Sequence, residues 1–221
     1  MNRISFVVIA LALAACGKQS TALERNRAGT GSGTLLVDAS IDASTTSGAL
    51  TSFQVDLQDG LGANVSGATV TIHNAEFGDV PLVEASAGSG KYVNSKAAIS
   101  NADFGLDVSH PTKGAVTGVV VGNPGMHVIN APQAGATVPT GALQVSWTTP
   151  TTAYSAAVQT RDFGPAAAPD TGTYTIAAAS NPANATQRLD VDRYNMVNIA
   201  GGLFGSQMKV TSSLRVTYIQ Q

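Results

Sequence analysis

Apolar and polar residues alternate along much of the chain from residue 35 onward. In residues 35–42 and 53–58, an apolar side chain stands at every second position. This period is typical of a β-strand that has one face in a core and the other in solvent. No stretch has an apolar stripe at helical spacing, so we predict an all-β protein. The predicted strands are 35–42, 53–58, 68–72, 80–84, 91–93, 103–108, 115–121, 142–148, 154–159, 172–177, 187–192, 195–199 and 209–219.

Clusters of glycine, proline and asparagine separate these strands, and one of them marks a domain boundary. Residues 122–125 read GNPG, and prolines at 132, 139 and 150 then frame a second series of strands. Glycine and proline are strong signals of turns and linkers. The strands on each side of this cluster suit one β-sandwich of about 100 residues. We therefore predict two tandem Ig-like β-sandwich domains, residues 34–123 and 124–221.

Two local sequences resemble known sandwich families. Residues 53–72, FQVDLQDGLGANVSGATVTI, followed by GKY at 90–92 and FGLDV at 104–108, are similar to bacterial Ig-like and carboxypeptidase-regulatory-like modules. Residues 143–150, LQVSWTTP, resemble the second strand of fibronectin type III domains. Residues 170–174, DTGTY, resemble the tyrosine corner of immunoglobulin domains, which implies the corner role for Tyr174. These resemblances imply a fold and say little about function.

The N-terminus has the organisation of an export signal. Residues 1–15, MNRISFVVIALALAA, carry one positive charge followed by an apolar run that is too short to span a bilayer. LAAC, at residues 13–16, resembles the lipobox of bacterial lipoproteins. That resemblance implies cleavage before Cys16, a thioether-linked diacylglycerol on its sulfur and, in many cases, a further acyl group such as palmitate. The alternative is an ordinary cleaved signal followed by a chance cysteine.

The residues after Cys16 indicate where the protein is held. The lipoprotein pattern implies the outer membrane when the next residue is not aspartate, and here it is Gly17. Polar residues follow, and the segment ends in glycine and serine. Such composition is typical of a flexible spacer. We therefore predict that residues 16–33 are a lipidated N-terminus and linker, which tethers the folded domains to the membrane.

Charge and cysteine content exclude several classes of function. Twelve basic and fourteen acidic side chains give a formal charge of −2, and charged residues make up 12% of the chain. A basic surface for nucleic acid is therefore not expected. The single cysteine at position 16 precludes an intramolecular disulfide. We predict no cofactor.

Metal-binding and acidic motifs are weak. The three histidines, His73, His110 and His127, lie far apart in the sequence, so we predict surface or turn positions and no metal site. Three acidic pairs have the parity of outward-facing strand positions, which favours salt bridges on a strand face; a weak calcium site or an acid/base pair is the alternative. The pairs are Asp38/Asp42, Asp103/Asp107 and Asp190/Asp192.

Nucleophile motifs point away from catalysis. The Gly-x-Ser-x-Gly pattern is absent. Ser206 and Lys209 match Ser-x-x-Lys, but the accompanying Ser-Asp-Asn and Lys-Thr-Gly motifs are missing. We predict that the chain is not an enzyme. A site assembled from distant loops is the competing reading.

These features favour a non-catalytic, lipid-anchored cell-envelope protein that acts as a structural, adhesive or protein-interaction module. Its expected partners are the membrane, envelope proteins and surface glycans. The alternative is a carbohydrate or small-ligand binder that uses the sandwich loops. Trp147 has the parity of a core residue, so Tyr154 and Tyr194 are the candidate ligand-binding residues.

Overall fold

The computed structural model describes residues 22–181 and 186–221. The predicted signal peptide and Cys16 lie outside these residues. The all-β prediction is confirmed: the described chain forms sixteen strands and two three-residue 3₁₀ helices, Leu23–Arg25 and Ala178–Ser180. The strands are β1 (Arg27–Gly31), β2 (Leu35–Ser44), β3 (Leu50–Asp59), β4 (Thr69–Asn74), β5 (Gly78–Glu84), β6 (Lys91–Lys96), β7 (Phe104–His110), β8 (Gly114–Val121), β9 (Ile129–Ala131), β10 (Thr137–Val138), β11 (Leu143–Trp147), β12 (Ser155–Thr160), β13 (Ala166–Ala168), β14 (Thr173–Ile176), β15 (Gln187–Asn198) and β16 (Gln207–Gln220).

The first sandwich packs one sheet, β1-β8-β7-β4-β5, against the strands β6-β3-β2-β16. β5 belongs to both layers, since it pairs with β4 along most of its length and with β6 at its end. The alternating positions of β2 and β3 fill the core as predicted, and Phe53 and Phe104 meet edge to face with ring centroids 6.1 Å apart. Tyr92, from the GKY turn, is also buried, and its hydroxyl donates to the Val65 carbonyl at 3.0 Å.

The second sandwich packs a three-stranded sheet, β14-β11-β9, against β16, β15 and β12. Trp147 and Tyr218 are buried in its core, and the burial of Trp147 agrees with its predicted parity. The segments predicted as two strands at 187–192 and 195–199 form the single long strand β15. The short strands β9, β10 and β13 have too few residues to show a period, and the sequence did not predict them.

The last two long strands serve both sandwiches, so the units share one layer. The first half of β16 pairs in parallel with β2, and Met208 and Val210 lie in the first core. The second half carries Tyr218 into the second core. The continuous layer is therefore β6-β3-β2-β16-β15-β12-β13. Strand β16 therefore supplies core residues to the first sandwich, although it lies after residue 124. The predicted division assigned only residues 34–123 to that sandwich.

Part of the predicted flexible linker is a strand. Residues 27–31 form β1, which pairs with β8 at the edge of the first sandwich. The backbones of Gly31 and Gly201 approach so closely that a Cβ atom added to Gly31 would lie 2.5 Å from the Gly201 carbonyl oxygen. The linker prediction was wrong for these residues because the glycines permit close backbone packing, which composition does not distinguish from flexibility.

Candidate functional site

The shared layer is covered by the two smaller sheets on one face, and its other face forms a broad polar surface. We call this surface the outer face. The side chains there are half-buried or exposed, and they come from strands of both sandwiches. Its central members are Ser40, Asp42, Ser52, Gln54, Gln159, Asp190, Asp192, Tyr194, Lys209, Ser213 and Arg215. The alternation of the strands positions them, because each has the opposite parity to the core residues of its own strand.

The two candidate tyrosines come together at one side of the outer face. Tyr154 precedes β12 and Tyr194 lies on β15, and their ring centroids are 6.1 Å apart at an interplanar angle of 45°. The Lys209 ammonium lies 5.3 Å from the centroid of the Tyr194 ring, a cation–π contact that orients this ring. Tyr154 is 59% exposed, so the pair offers an aromatic surface to solvent.

Two open depressions flank the centre of this surface. The first, of about 500 Å³, lies over the first sandwich between Ser40, Asp42, Gln54, Val83 and Asn94. The second, of about 390 Å³, lies over the junction of the sandwiches and is bordered by Ser44, Thr46, Gln159, Asp192 and Arg215. Hydroxyl, amide and carboxylate groups dominate the second lining, and in the first they stand beside apolar side chains. Both depressions therefore offer hydrogen bonds to a polar partner.

Two neighbouring acidic residues of the outer face, Asp190 and Asp192, have different surroundings. Asp190 accepts a hydrogen bond from Arg215 Nε at 2.5 Å and forms an ion pair with Arg188, whose Nε lies 2.8 Å from the carboxylate. The predicted strand-face salt bridging is therefore present here. Asp192 lies next to Asp190. Its pKa is raised mainly by partial burial and, to a smaller extent, by the negative charges of Asp190 and Asp42. Within residues 22–181 and 186–221, no group of three or more His, Cys, Asp or Glu side chains is arranged to hold a metal ion.

Of the pair Asp103/Asp107, only Asp107 forms the predicted strand-face ion pair. Asp103 precedes β7 and joins the start of the described chain to the predicted boundary: it accepts from Arg25 Nε at 2.6 Å and from the Asn123 amide at 2.9 Å. Asp107 faces outward and lies 3.2 Å from His73 Nε2. Asp103 is drawn inward because it satisfies backbone and guanidinium groups where β7 begins.

The histidine prediction holds for two of the three residues. His110, the last residue of β7, is partly exposed, and His73 is held by Asp79 at 2.8 Å, a hydrogen bond that raises the pKa of His73. His127 contradicts the prediction, since it is 2% exposed, with Nδ1 3.0 Å from the Ser212 hydroxyl. Burial, with the nearby Arg193 charge, lowers the pKa of His127 to about 4.

A buried ion pair holds the boundary segment between the sandwiches. Arg193 projects from β15 into the interior, fully buried, and binds Asp170 through two bonds of 2.8 and 2.7 Å. The same guanidinium donates to the carbonyl oxygens of Pro124 and Thr151. Asp170 also accepts from Trp147 Nε1 at 3.2 Å and from the Ala153 amide at 2.9 Å. The GNPG segment predicted as a boundary is therefore fixed in place.

The sequence did not lead to a prediction of the buried Arg193–Asp170 pair. The tyrosine-corner resemblance directed attention to Tyr174, whose ring packs against Phe163 at a centroid distance of 6.1 Å. Asp170, the first residue of that motif, is the one that binds Arg193. The available signal was parity: Arg193 shares the inward face of β15 with Leu189 and Val191. A charged side chain at an inward position requires a buried partner.

The Ser-x-x-Lys match places its two side chains in separate surroundings. The buried Ser206 hydroxyl accepts from the Val37 amide at 3.0 Å, which fixes the start of β16 against β2. Lys209 lies over the Tyr194 ring on the outer face. Ser206 therefore has a structural role in joining the two strands.

Comparison with known proteins gives only distant resemblances. No family model and no curated protein matches the sequence. The structure is similar to fibronectin(III)-like modules of Clostridium thermocellum CbhA, with 11% identity over 84% of this chain and 94% of that one, and a TM-score of 0.30. It is also similar to the Yersinia pseudotuberculosis adhesin InvE, with 13% identity over 82% of this chain and a TM-score of 0.27. The match spans 60% of the adhesin chain.

Proposed function

We propose that the protein is a lipid-anchored component of the bacterial cell envelope, without catalytic activity, that binds another envelope or surface molecule through its outer face. The observation that carries this proposal is the polar surface that continues across both sandwiches on one shared layer. A β-sandwich layer normally buries one face, and a wide, weakly charged polar face on the other side suits hydrogen-bonded contact with a partner.

The anchoring part of the proposal is supported by the sequence. The apolar run that ends at Ala15 and the LAAC pattern together favour lipidation of Cys16, and Gly17 favours the outer membrane. In the described part of the chain, no helix is long and apolar enough to cross a membrane. Two or three acyl chains supply enough buried methylene groups for stable attachment to a bilayer.

Replacement of Cys16 tests the anchor. Because lipid transfer and cleavage both depend on that thiol, Cys16→Ala is expected to leave unprocessed precursor without diacylglycerol. The measurement is metabolic labelling with a radioactive fatty acid, combined with the mass of the N-terminal peptide. Ser20→Ala is the matched control and retains labelling. Processed, fatty-acid-labelled protein from the Cys16→Ala variant would show that the anchor proposal is wrong.

A second function, carbohydrate binding, is favoured by the Tyr154–Tyr194 pair. Aromatic rings stack on the apolar faces of sugars, and the neighbouring hydroxyl and carboxylate groups of the outer face supply hydrogen-bond partners. On a glycan array, the chain is expected to bind a sugar whose signal falls at least tenfold in Tyr154→Ala and Tyr194→Ala. Val128→Ala, which removes another exposed side chain, is the control. Absence of binding, or equal binding by all variants, would rule this function out.

A further inference from the structure

One end of the first sandwich carries two fully exposed apolar side chains. Leu61 lies in the loop between β3 and β4 and is 95% exposed, and Phe204 lies in the loop between β15 and β16 and is 105% exposed. We call these two loops the apolar tip. The outer face does not use either residue. Isolated exposed apolar residues are common, but two such large side chains at the ends of adjacent loops are unusual.

The two loops of the apolar tip touch each other. A Cβ atom added to Gly60 would lie 3.8 Å from Leu203 Cδ1, so the Leu61 turn sits beside the turn that carries Phe204. Glycines in the left-handed region follow both exposed residues, Gly62 at φ +79° and Gly205 at φ +93°. Such residues reverse the chain sharply and leave the preceding side chain projecting outward.

Hydrogen bonds hold these turns in shape, so the apolar side chains project from ordered backbone. The Asp59 carboxylate accepts from the Leu61 and Ala63 amides at 3.0 and 3.1 Å, and Lys113 Nζ binds the same carboxylate at 2.9 Å. Lys113 lowers the pKa of Asp59 through this bond. In the second loop, the Leu203 amide donates to the Leu35 carbonyl at 2.8 Å. The charges nearest to Leu61 therefore neutralise each other.

From this geometry we propose that the apolar tip inserts Leu61 and Phe204 into a lipid bilayer surface. Leu61 and Phe204 are two separate, fully exposed side chains, and a fluid bilayer accommodates such projections without a complementary pocket. The neutral Asp59–Lys113 pair opposes neither zwitterionic nor anionic headgroups. The inference rests on the proposed anchoring of the chain, which places a bilayer near the domain.

The position of the anchor is compatible with contact at the tip. Ala22 packs against Gly122 at the far end of β8, whereas Lys113 and the tip lie at the beginning of β8. The eight residues of β8 span about 26 Å. The six residue-to-residue steps from Cys16 to Ala22 reach about 20 Å when extended. The two lengths are of the same order, so a sandwich that lies obliquely on the membrane brings the tip to the surface that holds Cys16.

Tryptophan fluorescence tests this proposal on the unlipidated chain from Gly17 to Gln221, which contains every residue of both described cores. Trp147 is buried and gives a constant background. With vesicles of phosphatidylethanolamine and phosphatidylglycerol, Phe204→Trp is expected to show a blue shift and quenching by brominated acyl chains. Val128→Trp, at a site 58% exposed just before β9, is the control and is expected to show neither.

Vesicle co-sedimentation supplies the second readout. The double substitution Leu61→Ser and Phe204→Ser is expected to reduce partitioning at least tenfold, whereas Val128→Ser leaves it unchanged. A Phe204→Trp signal that does not respond to vesicles, or equal partitioning by the double variant, would overturn the membrane assignment. Because no lipid is attached to this chain, these results are independent of the Cys16→Ala experiment, and failure of one proposal is distinguishable from failure of the other.

Discussion

Arg193 is the residue on which the arrangement of the two sandwiches most depends. Its guanidinium is fully buried, where an unpaired charge would be strongly destabilising, and Asp170 with the carbonyls of Pro124 and Thr151 satisfies it. Burial alone would raise the pKa of Asp170, but the bonds from Arg193, the Ala153 amide and Trp147 lower it overall. Asp170 therefore remains ionised inside the protein at neutral pH.

Removal of this guanidinium is expected to be costly. Arg193→Met leaves the Asp170 carboxylate buried without its cation, so the free energy of unfolding should fall by about 3–5 kcal/mol. Arg188→Met is the matched control on the same strand, since Arg188 binds Asp190 at the surface, and its loss should cost about 0.2–1 kcal/mol. Urea unfolding measures both values. Equal losses in the two variants would contradict the proposed role of Arg193.

At the scale of single residues, sequence reasoning identified core positions better than buried polar ones. Parity correctly placed Trp147 inside. The alternation of β15 also places Arg193 inside, but a charged residue in a sequence is ordinarily expected to be exposed. His127 shows the same problem, because it lies in an irregular segment with no period. Burial there is decided by β15 and β16 packing over it, which local sequence does not encode.

At the scale of elements, the segment 122–127 is a fixed connection between the sandwiches. The Asn195 side chain donates to the Gly122 carbonyl at 2.7 Å, and the Asn123 side chain donates to the Ser100 carbonyl at 2.8 Å. His127 ends the segment beneath Ser212 of β16. Turn composition predicted where the chain leaves the first sandwich. It gave no information on these long-range bonds, and for the same reason β1 was mistaken for linker.

His127 makes this segment sensitive to acid. The unfolded chain binds a proton on this histidine near its ordinary pKa of 6.5, whereas the folded chain binds it only near pH 4. The unfolded state therefore binds more protons between these values, and stability falls as the pH is lowered through this window. The loss from this group should reach about 2–3 kcal/mol at pH 4.

Urea unfolding at pH 7.0, 5.5 and 4.5, compared between the native chain and His127→Gln, measures this dependence. The destabilisation of the native chain relative to the variant should grow as the pH falls. His110→Gln, at the partly exposed end of β7, is the control and should keep the native pH dependence. A His127→Gln profile parallel to that of the native chain would exclude His127 as the source.

At the scale of the whole molecule, the two sandwiches are joined by a continuous layer as well as by the segment between them. The sequence correctly predicted β-sandwich architecture, but it did not predict that β16 pairs in parallel with β2. That pairing joins residues about 170 positions apart. No local pattern specifies that pairing. Its consequence for function is that the outer face is one surface, in which residues of both sandwiches are held at fixed spacing.

In-cell photocrosslinking tests the role of the outer face most directly. A photoreactive amino acid replaces Gln54 over the first sandwich, Gln159 over the second, or Thr117 on the exposed side of β8 as the control. If the outer face is the binding surface, Gln54 and Gln159 should capture the same envelope partner, as identified by mass spectrometry, and Thr117 should not. Capture from Thr117 alone, or no adduct from either outer-face position, would contradict the account.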